Sequence, residues 1–214
     1  MSLIVKKIQQ ADLAERVITE SQLARLIGGT PQRRYSLVNR ALHQGELLHL
    51  RRGRYLLSSV RQHRKVNLFV LAQSLLPGSY VSFETALSFH GWIPESTQVT
   101  MSVTPGRRRQ EIDIPEFGIF RFYSLALRTG YLLEGVERHV FVGQSALVAQ
   151  PLRALLDIMY LRKIDVSDIM DFLGGMRIDA ELLAHIEDRE LALMLQVYKH
   201  KRMLSIIKAF QRGA

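Results

Sequence analysis

The chain has 214 residues, 47% of them hydrophobic and 23% charged, which is typical of a globular protein with one large or two small domains. It contains no cysteine, which excludes a disulfide framework, a zinc–cysteine site and a cysteine nucleophile. The formal net charge of +9 is confined to residues 1–65, which carry 13 Lys and Arg against 4 Asp and Glu, whereas residues 66–214 carry 16 of each. Such a concentration indicates a polyanionic partner.

We expect a cytoplasmic protein without a membrane span. The first residues, MSLIVKKIQQ, place lysines after a short apolar patch and offer no small-residue cleavage site, unlike a signal peptide. The longest uncharged run, residues 66–83, contains Asn67, Gln73 and the pair Pro77-Gly78. These residues make the run too polar and too broken for a transmembrane helix.

The N-terminal elements begin with a helix that the apolar spacing predicts over residues 3–14, followed by a brief strand at Val17 and Ile18. Thr19, with Gln22 three residues later, forms a capping-box pattern at the start of a short helix. The pair Gly28-Gly29 ends that helix, since glycine readily adopts the left-handed conformation that stops a helix.

The next helix begins at Thr30-Pro31, with a capping hydroxyl followed by proline at the first helical position. Tyr35, Val38 and Leu42 recur at helical spacing and predict its core-facing side, which Leu37 and Ala41 widen. The helix closes at Gly45, and ELLHLRRGRYLLS, residues 46–58, then predicts a hairpin that turns at Arg52-Gly53.

This order of elements is the layout of a winged helix-turn-helix, in which the helix after the turn enters the DNA major groove and the hairpin lies along the backbone. Arginine can form two hydrogen bonds with guanine, and Gln or Asn can pair with adenine. Three arginines at the hairpin tip suit phosphates or a narrow minor groove. The predicted DNA-binding residues are Thr30, Gln32, Arg33, Arg34, Ser36, Asn39, Arg40, Arg51, Arg52 and Arg54. The alternative is a solvated basic face on a small packing domain.

Residues 59–65, SVRQHRK, resemble a polar linker, so we predict domains at 1–62 and 63–214. The second domain should begin with a helix over 66–76, followed by a short strand and a helix capped by Ser82. Strands are predicted at 97–104, 117–125 and 138–143. A helical pattern follows Ser145, with further helices near 165–173, 179–186 and 188–211. The expected fold class is therefore α+β, with a mixed second domain.

Enzyme signatures are weak, and we expect neither catalysis nor a cofactor nor a metal. GQSAL, residues 143–147, begins like a nucleophile elbow but lacks the final glycine, so a helix N-cap is the better interpretation of Ser145. None of the seven histidines has a partner at metal-ligand spacing. The three aspartates Asp165, Asp168 and Asp171 suit a helix N-terminus.

A second basic run, GRRRQ at residues 106–110, contains Arg107, Arg108 and Arg109. Glu111, Asp113 and Glu116 follow at once and cancel its charge locally. A solvated loop between strands is favoured over a second nucleic-acid contact. The single tryptophan, Trp92, is expected to pack in the core or between domains.

Two segments carry a resemblance to a known family. YVSFETALSFHG, residues 80–91, looks like the pattern Y-[IV]-S-x-x-[ST]-A-L-x-x-H-G, and AQPLRALLD, residues 149–157, looks like A-x-P-x-[RK]-A-L-x-D. Gln150 stands where the family has Ser or Thr. With the basic N-terminal segment, these features resemble the AbiEi-type antitoxins of bacterial type IV toxin–antitoxin (abortive infection) systems.

The resemblance implies a transcriptional autorepressor that binds double-stranded DNA at an inverted-repeat operator. It also implies an antitoxin that counteracts a cognate nucleotidyltransferase-like toxin, without requiring direct contact. The residues by themselves support DNA binding by the first segment and a neutral second domain. Two alternatives stay open: a winged-helix regulator that responds to a small ligand without a toxin partner, and a DNA-targeted enzyme, which would need clustered acidic or histidine ligands.

Overall fold

A computed structural model describes residues 2–59, 66–95, 98–141 and 143–212. The chain divides into two compact units, Met1–Leu75 and Leu76–Ala214. Both units combine helices with strands, which confirms the α+β class. The predicted linker falls almost entirely outside the described residues, so the predicted boundary at 62/63 stays a prediction. No helix in the described ranges has the length and apolar character needed to cross a membrane.

The first unit packs helices against a small antiparallel sheet. Its helices are α1 (Leu3–Gln10), α2 (Glu20–Ile27), α3 (Pro31–His43) and α4 (Leu68–Leu75). Its strands are β1 (Ile18–Thr19), β2 (Leu47–Arg51) and β3 (Arg54–Leu57), in the order β1–β3–β2. Helix α1 ends earlier than predicted, and Asp12, just beyond its end, takes a left-handed conformation with φ of +55°.

Local signals set the ends of α2 as predicted. The Thr19 hydroxyl accepts a hydrogen bond from the Gln22 amide at 3.1 Å, and the Gln22 side chain accepts one from the Thr19 amide at 2.8 Å. This reciprocal pair is the capping box. After α2, Gly28 and Gly29 have φ of +65° and +74°, a region that side-chain-bearing residues rarely adopt. The turn between α2 and α3 therefore depends on both glycines.

The core-facing side of α3 includes the predicted Leu37 and Ala41 but not Tyr35. Ala41 is fully buried, and Arg34 and Leu37, on the same side of the helix, are half-buried. Tyr35, predicted to face the core, is 66% exposed. The small Ala41 side chain allows close packing of the helix backbone against the core. The buried side is therefore centred away from the larger Tyr35, and that part of the prediction is wrong.

The second unit is built on a six-stranded mixed sheet in the order β6–β7–β5–β4–β9–β8. The pairs β4–β9 and β5–β7 are parallel, and the other neighbouring pairs are antiparallel. The strands are β4 (Tyr80–Val81), β5 (Val99–Val103), β6 (Gln110–Ile114), β7 (Gly118–Tyr123), β8 (Val136–Phe141) and β9 (Gln144–Ala149). The helices are α5 (Phe83–Phe89), α6 (Pro151–Arg162), α7 (Ile169–Gly175), α8 (Ala180–Ala184), α9 (Asp188–Val197) and α10 (Lys201–Gln211).

Two predictions for this unit were wrong. Ser145 lies inside strand β9, whose residues pair with β8, and the helical pattern begins only at Pro151. The single helix predicted over 188–211 is interrupted between α9 and α10, where Tyr198 is extended and its backbone pairs with that of Leu127. Both errors arise because pairing with distant segments overrides a local helical pattern.

Candidate nucleic-acid interface

The start of helix α3 fixes the position of the candidate interface. The Thr30 hydroxyl accepts a hydrogen bond from the Arg33 amide at 3.3 Å, and Pro31 occupies the first helical position. Thr30, predicted as a DNA contact, therefore serves as the helix N-cap. A hydroxyl that accepts in this way still has its own hydrogen to donate to a phosphate oxygen.

One side of α3 is open to solvent and basic. Arg33 and Arg40, seven residues apart, lie on the same side of the helix and are both exposed. Gln32 and Ser36 are also exposed beside them, and the Ser36 hydroxyl donates to the Gln32 carbonyl at 3.1 Å. Among the described residues, neither Arg33 nor Arg40 forms an ion pair. We call Gln32, Arg33, Ser36 and Arg40 the open face.

Two other predicted contacts of α3 point elsewhere. Arg34 is half-buried, and its Nη1 donates to the Gly29 carbonyl at 2.5 Å. Arg34 and Asn39 line a cavity of about 140 Å³ between α2, α3 and β3, together with Tyr35 and Tyr55. The sequence placed Asn39 on the polar side of the helix and Arg34 near its start, where it could meet a phosphate. In the structure both side chains line this cleft.

Tyr35 is a residue that sequence reasoning missed. Its ring is mostly exposed and borders the same cleft, one turn before Asn39. An aromatic ring beside arginines can stack on a base or cover a sugar. The available signal was the residue type itself, but its helical spacing with Val38 and Leu42 placed it in the core.

The three hairpin arginines have different environments. Arg52, at the tip, is exposed and lies in an open cleft with Thr19 and Ser21 at the start of α2. Arg51 Nη1 donates to the Leu75 carbonyl at 2.7 Å, and Arg54 Nε donates to the Ser74 carbonyl at 3.2 Å. Only Arg52 of the three therefore has no such bond to α4 in the described structure.

The turn of the hairpin is also held by α2. Gly53 has φ of +70°, and its carbonyl accepts a hydrogen bond from the Glu20 amide at 3.0 Å. A Cβ added at Gly53 would lie 3.4 Å from a Glu20 carboxylate oxygen. The hairpin tip thus lies close to the first turn of α2.

The second unit contains a buried charged network that the sequence did not place. Arg153 and Asp157 are both fully buried, and Arg153 Nε lies 3.1 Å from Asp157 Oδ1. The hydroxyls of Tyr80, Ser82 and Tyr198 donate to the Asp157 carboxylate at 2.9, 2.7 and 2.7 Å. Arg153 also donates to the Glu134 carbonyl at 2.7 Å and to the Tyr80 hydroxyl at 2.5 Å.

The electrostatics of this network favour one fixed protonation state. Burial disfavours the charged form of Arg153 and so lowers its pKa. Asp157 and the two tyrosine hydroxyls outweigh burial, and the net result is a raised pKa for Arg153. Burial and the Asp157 charge raise the pKa values of Tyr80 and Tyr198 well above their ordinary value. Both phenols therefore stay protonated and donate hydrogen bonds. All five side chains of the network are buried, and together they join β4, α6 and the segment after α9.

Most of this network belongs to the two segments that carried the resemblance. Tyr80 and Ser82 are the first and third positions of one pattern, and Arg153 and Asp157 belong to the other. The signal was present, because Arg153 and Asp157 are four residues apart on a helix and Tyr80 and Ser82 are two apart. Ser82 stands at the N-cap of α5, but its hydroxyl donates to Asp157 instead of capping the helix.

The second basic run is partly neutralised within the unit. Arg109 lies over the Tyr123 ring at 5.0 Å from its centroid and 4.0 Å from the Glu111 carboxylate. Glu111 also accepts from Arg121 at 2.6 Å. Arg107 and Arg108 are exposed in the loop before β6. The question of a nucleic-acid contact by this loop stays a prediction.

No family model matches the chain, and a search of curated proteins returned no relative. The resemblance to AbiEi-type antitoxins therefore stays a prediction that rests on the residues quoted above.

Proposed function

We propose that the protein is a DNA-binding autorepressor and antitoxin of the cytoplasm, with a winged helix-turn-helix in the first unit. The observation that supports this most directly is the open face of α3. Arg33 and Arg40 are exposed without ion-pair partners among the described residues, in a segment that holds the whole net charge of +9. Like charges repel, so such a surface is best explained by a polyanionic ligand.

The order of elements in the first unit supports the winged-helix assignment. Helix α2, a short turn and helix α3 are followed by the antiparallel hairpin β2–β3, which pairs with β1 to complete the sheet. In this assignment α3 is the recognition helix and the hairpin is the wing. Arg33 and Arg40 would contact bases or adjacent phosphates, and Arg52 would contact the backbone.

A separate task for the second unit follows from its charge and its core. Residues 76–214 carry as many acidic as basic side chains, so they have no general attraction for nucleic acid. Their sheet and buried network form an independent core. The resemblance to AbiEi-type antitoxins indicates what that task is, namely to counteract a nucleotidyltransferase-like toxin.

DNA binding is tested by salt titration of the full chain with duplex DNA. Neutralising phosphates releases counterions, so we expect log K to fall against log salt with a slope of about −5, which corresponds to about six phosphate contacts. Anisotropy titration with labelled duplex measures it. A slope near zero would contradict nucleic-acid binding by this unit.

The division of labour is tested by co-expression with the neighbouring toxin gene, each variant under an unrelated promoter. Combined charge reversal, Arg33→Glu, Arg40→Glu and Arg52→Glu, should abolish repression and leave rescue intact. A variant that lacks residues 76–214 should fail to rescue. Rescue by the first unit alone would refute the division of labour. If the full chain does not rescue cells from the toxin, a ligand-responsive regulator without a toxin partner is favoured.

A further inference from the structure

The two hairpin arginines that do not face open solvent lie against the end of helix α4. The last carbonyls of any helix lack partners within the helix and form the negative end of its dipole. Helix α4 has no basic residue in its own last turn. Arg51 and Arg54 meet the carbonyls of Leu75 and Ser74, and they therefore supply the cations and donors that this helix end lacks.

The same contacts give two of the three tip arginines acceptors within the protein. Arg51 and Arg54 are half-buried, whereas Arg52 between them is exposed. The hairpin is held on its other side by the bond from the Glu20 amide to the Gly53 carbonyl. The tip is thus fixed between the first turn of α2 and the last turn of α4, and Arg52 projects from it.

We propose that Arg51 and Arg54 are positioning residues that clamp the hairpin to α4, and that Arg52 is the hairpin cation that contacts DNA phosphate. The assignment of Arg52 rests on the proposed DNA-binding function, whereas the clamp does not. It follows that the DNA-binding unit needs α4 and extends to residue 75. A unit that ends at residue 62 would leave both guanidinium groups without these acceptors.

Hydrogen exchange followed by mass spectrometry in the full chain tests the clamp without DNA. Arg51→Ala and Arg54→Ala should each make amides in residues 47–57 and 68–75 exchange about tenfold faster, because a charge-assisted hydrogen bond is lost. Arg52→Ala is the matched control at the same tip and should leave both peptides unchanged. Unchanged exchange in the Arg51 and Arg54 variants would overturn the clamp, whatever the DNA result.

Salt titrations of the same three variants with duplex DNA test the division of roles. Arg52→Ala should make the slope of log K against log salt shallower by about 1, because one phosphate contact is lost. Arg51→Ala and Arg54→Ala should weaken binding and keep the wild-type slope. Shallower slopes in the Arg51 and Arg54 variants would overturn their positioning role. If wild type itself shows no salt-dependent binding, the proposed function fails while the exchange data still decide the clamp.

Discussion

Arginines in the two units occupy opposite environments. Arg33 and Arg40 in the first unit are exposed and lack ion-pair partners in the described structure, whereas Arg153 in the second is fully buried against Asp157 and Tyr80. A buried arginine is tolerable only where its charge and donors are satisfied by the protein. An exposed one without a carboxylate keeps its donors for a ligand. The same side chain therefore supports the core in one unit and stays open to solvent in the other.

The arginines of the hairpin lie between these extremes. Arg51 and Arg54 are half-buried and bonded to helix carbonyls, whereas their neighbour Arg52 is exposed. The sequence alone did not show that the three arginines have different partners, because all of them lie next to the turn at Gly53. The comparison shows that the partners of each arginine within the protein must be known before a basic cluster is assigned to a ligand.

The largest expected effect is on the buried network. Asp157→Asn leaves the charge of Arg153 buried without its carboxylate, so the free energy of unfolding of the second unit should fall by about 3 to 5 kcal/mol. Trp92 is the only tryptophan, so its fluorescence during denaturant titration follows this unit. Glu111→Gln, which removes the exposed pair with Arg121, is the control and should change stability little. Equal losses in the two variants would contradict a structural role for the network.

A smaller effect separates two adjacent arginines of α3. Arg33→Ala should weaken operator binding by about 1 to 3 kcal/mol and relax sequence preference at one position, since its guanidinium faces solvent. Arg34→Ala is matched in charge and chain position, but Arg34 is tied to the Gly29 carbonyl, so its loss should affect binding less. Competition titrations with operator and random duplexes measure both. Equal losses on both DNAs for Arg33→Ala would place Arg33 on the backbone instead of on a base.

The smallest expected effect concerns His90, a half-buried histidine whose ring Nε2 lies 3.0 Å from the Ala149 carbonyl oxygen. Burial lowers the pKa of His90; the Ala149 carbonyl opposes this shift, and His139 adds to it. The unfolded chain therefore binds a proton at His90 more readily than the folded chain does. The stability that neutral His90 contributes is fully present above the ordinary pKa of about 6.5, and it is lost as the pH falls from there through the lower pKa of the folded state.

The pH dependence can be isolated by substitution. His90→Gln keeps a neutral donor and should flatten the loss of stability of the second unit as the pH falls below about 6.5. His185→Gln, at an exposed position, is the control. Trp92 fluorescence in denaturant at several pH values measures the difference. An identical pH profile for His90→Gln and wild type would exclude His90 as its source.

The sequence by itself determined the features that local chemistry sets. The capping box at Thr19, the paired glycines after α2 and Thr30-Pro31 at the start of α3 all occur as predicted, because each acts over three or four residues. The concentration of charge in the first segment is likewise a property of the sequence alone. These signals sufficed for the α+β class and for naming α3 as the basic helix.

Only the tertiary structure decided that Tyr35 of α3 is exposed, where strand β9 lies and what the hairpin arginines contact. Tyr35 is exposed because the core packs against Ala41, and residues 144–149 form a strand because β4 and β8 pair with them. Arg153 donates a hydrogen bond to the hydroxyl of Tyr80, a residue that lies 73 positions earlier in the chain. These outcomes depend on partners distant in sequence, whose contacts are made only when the whole unit folds. Local spacing can mark a residue such as Arg153 as a candidate, but it does not identify the distant residue that it contacts.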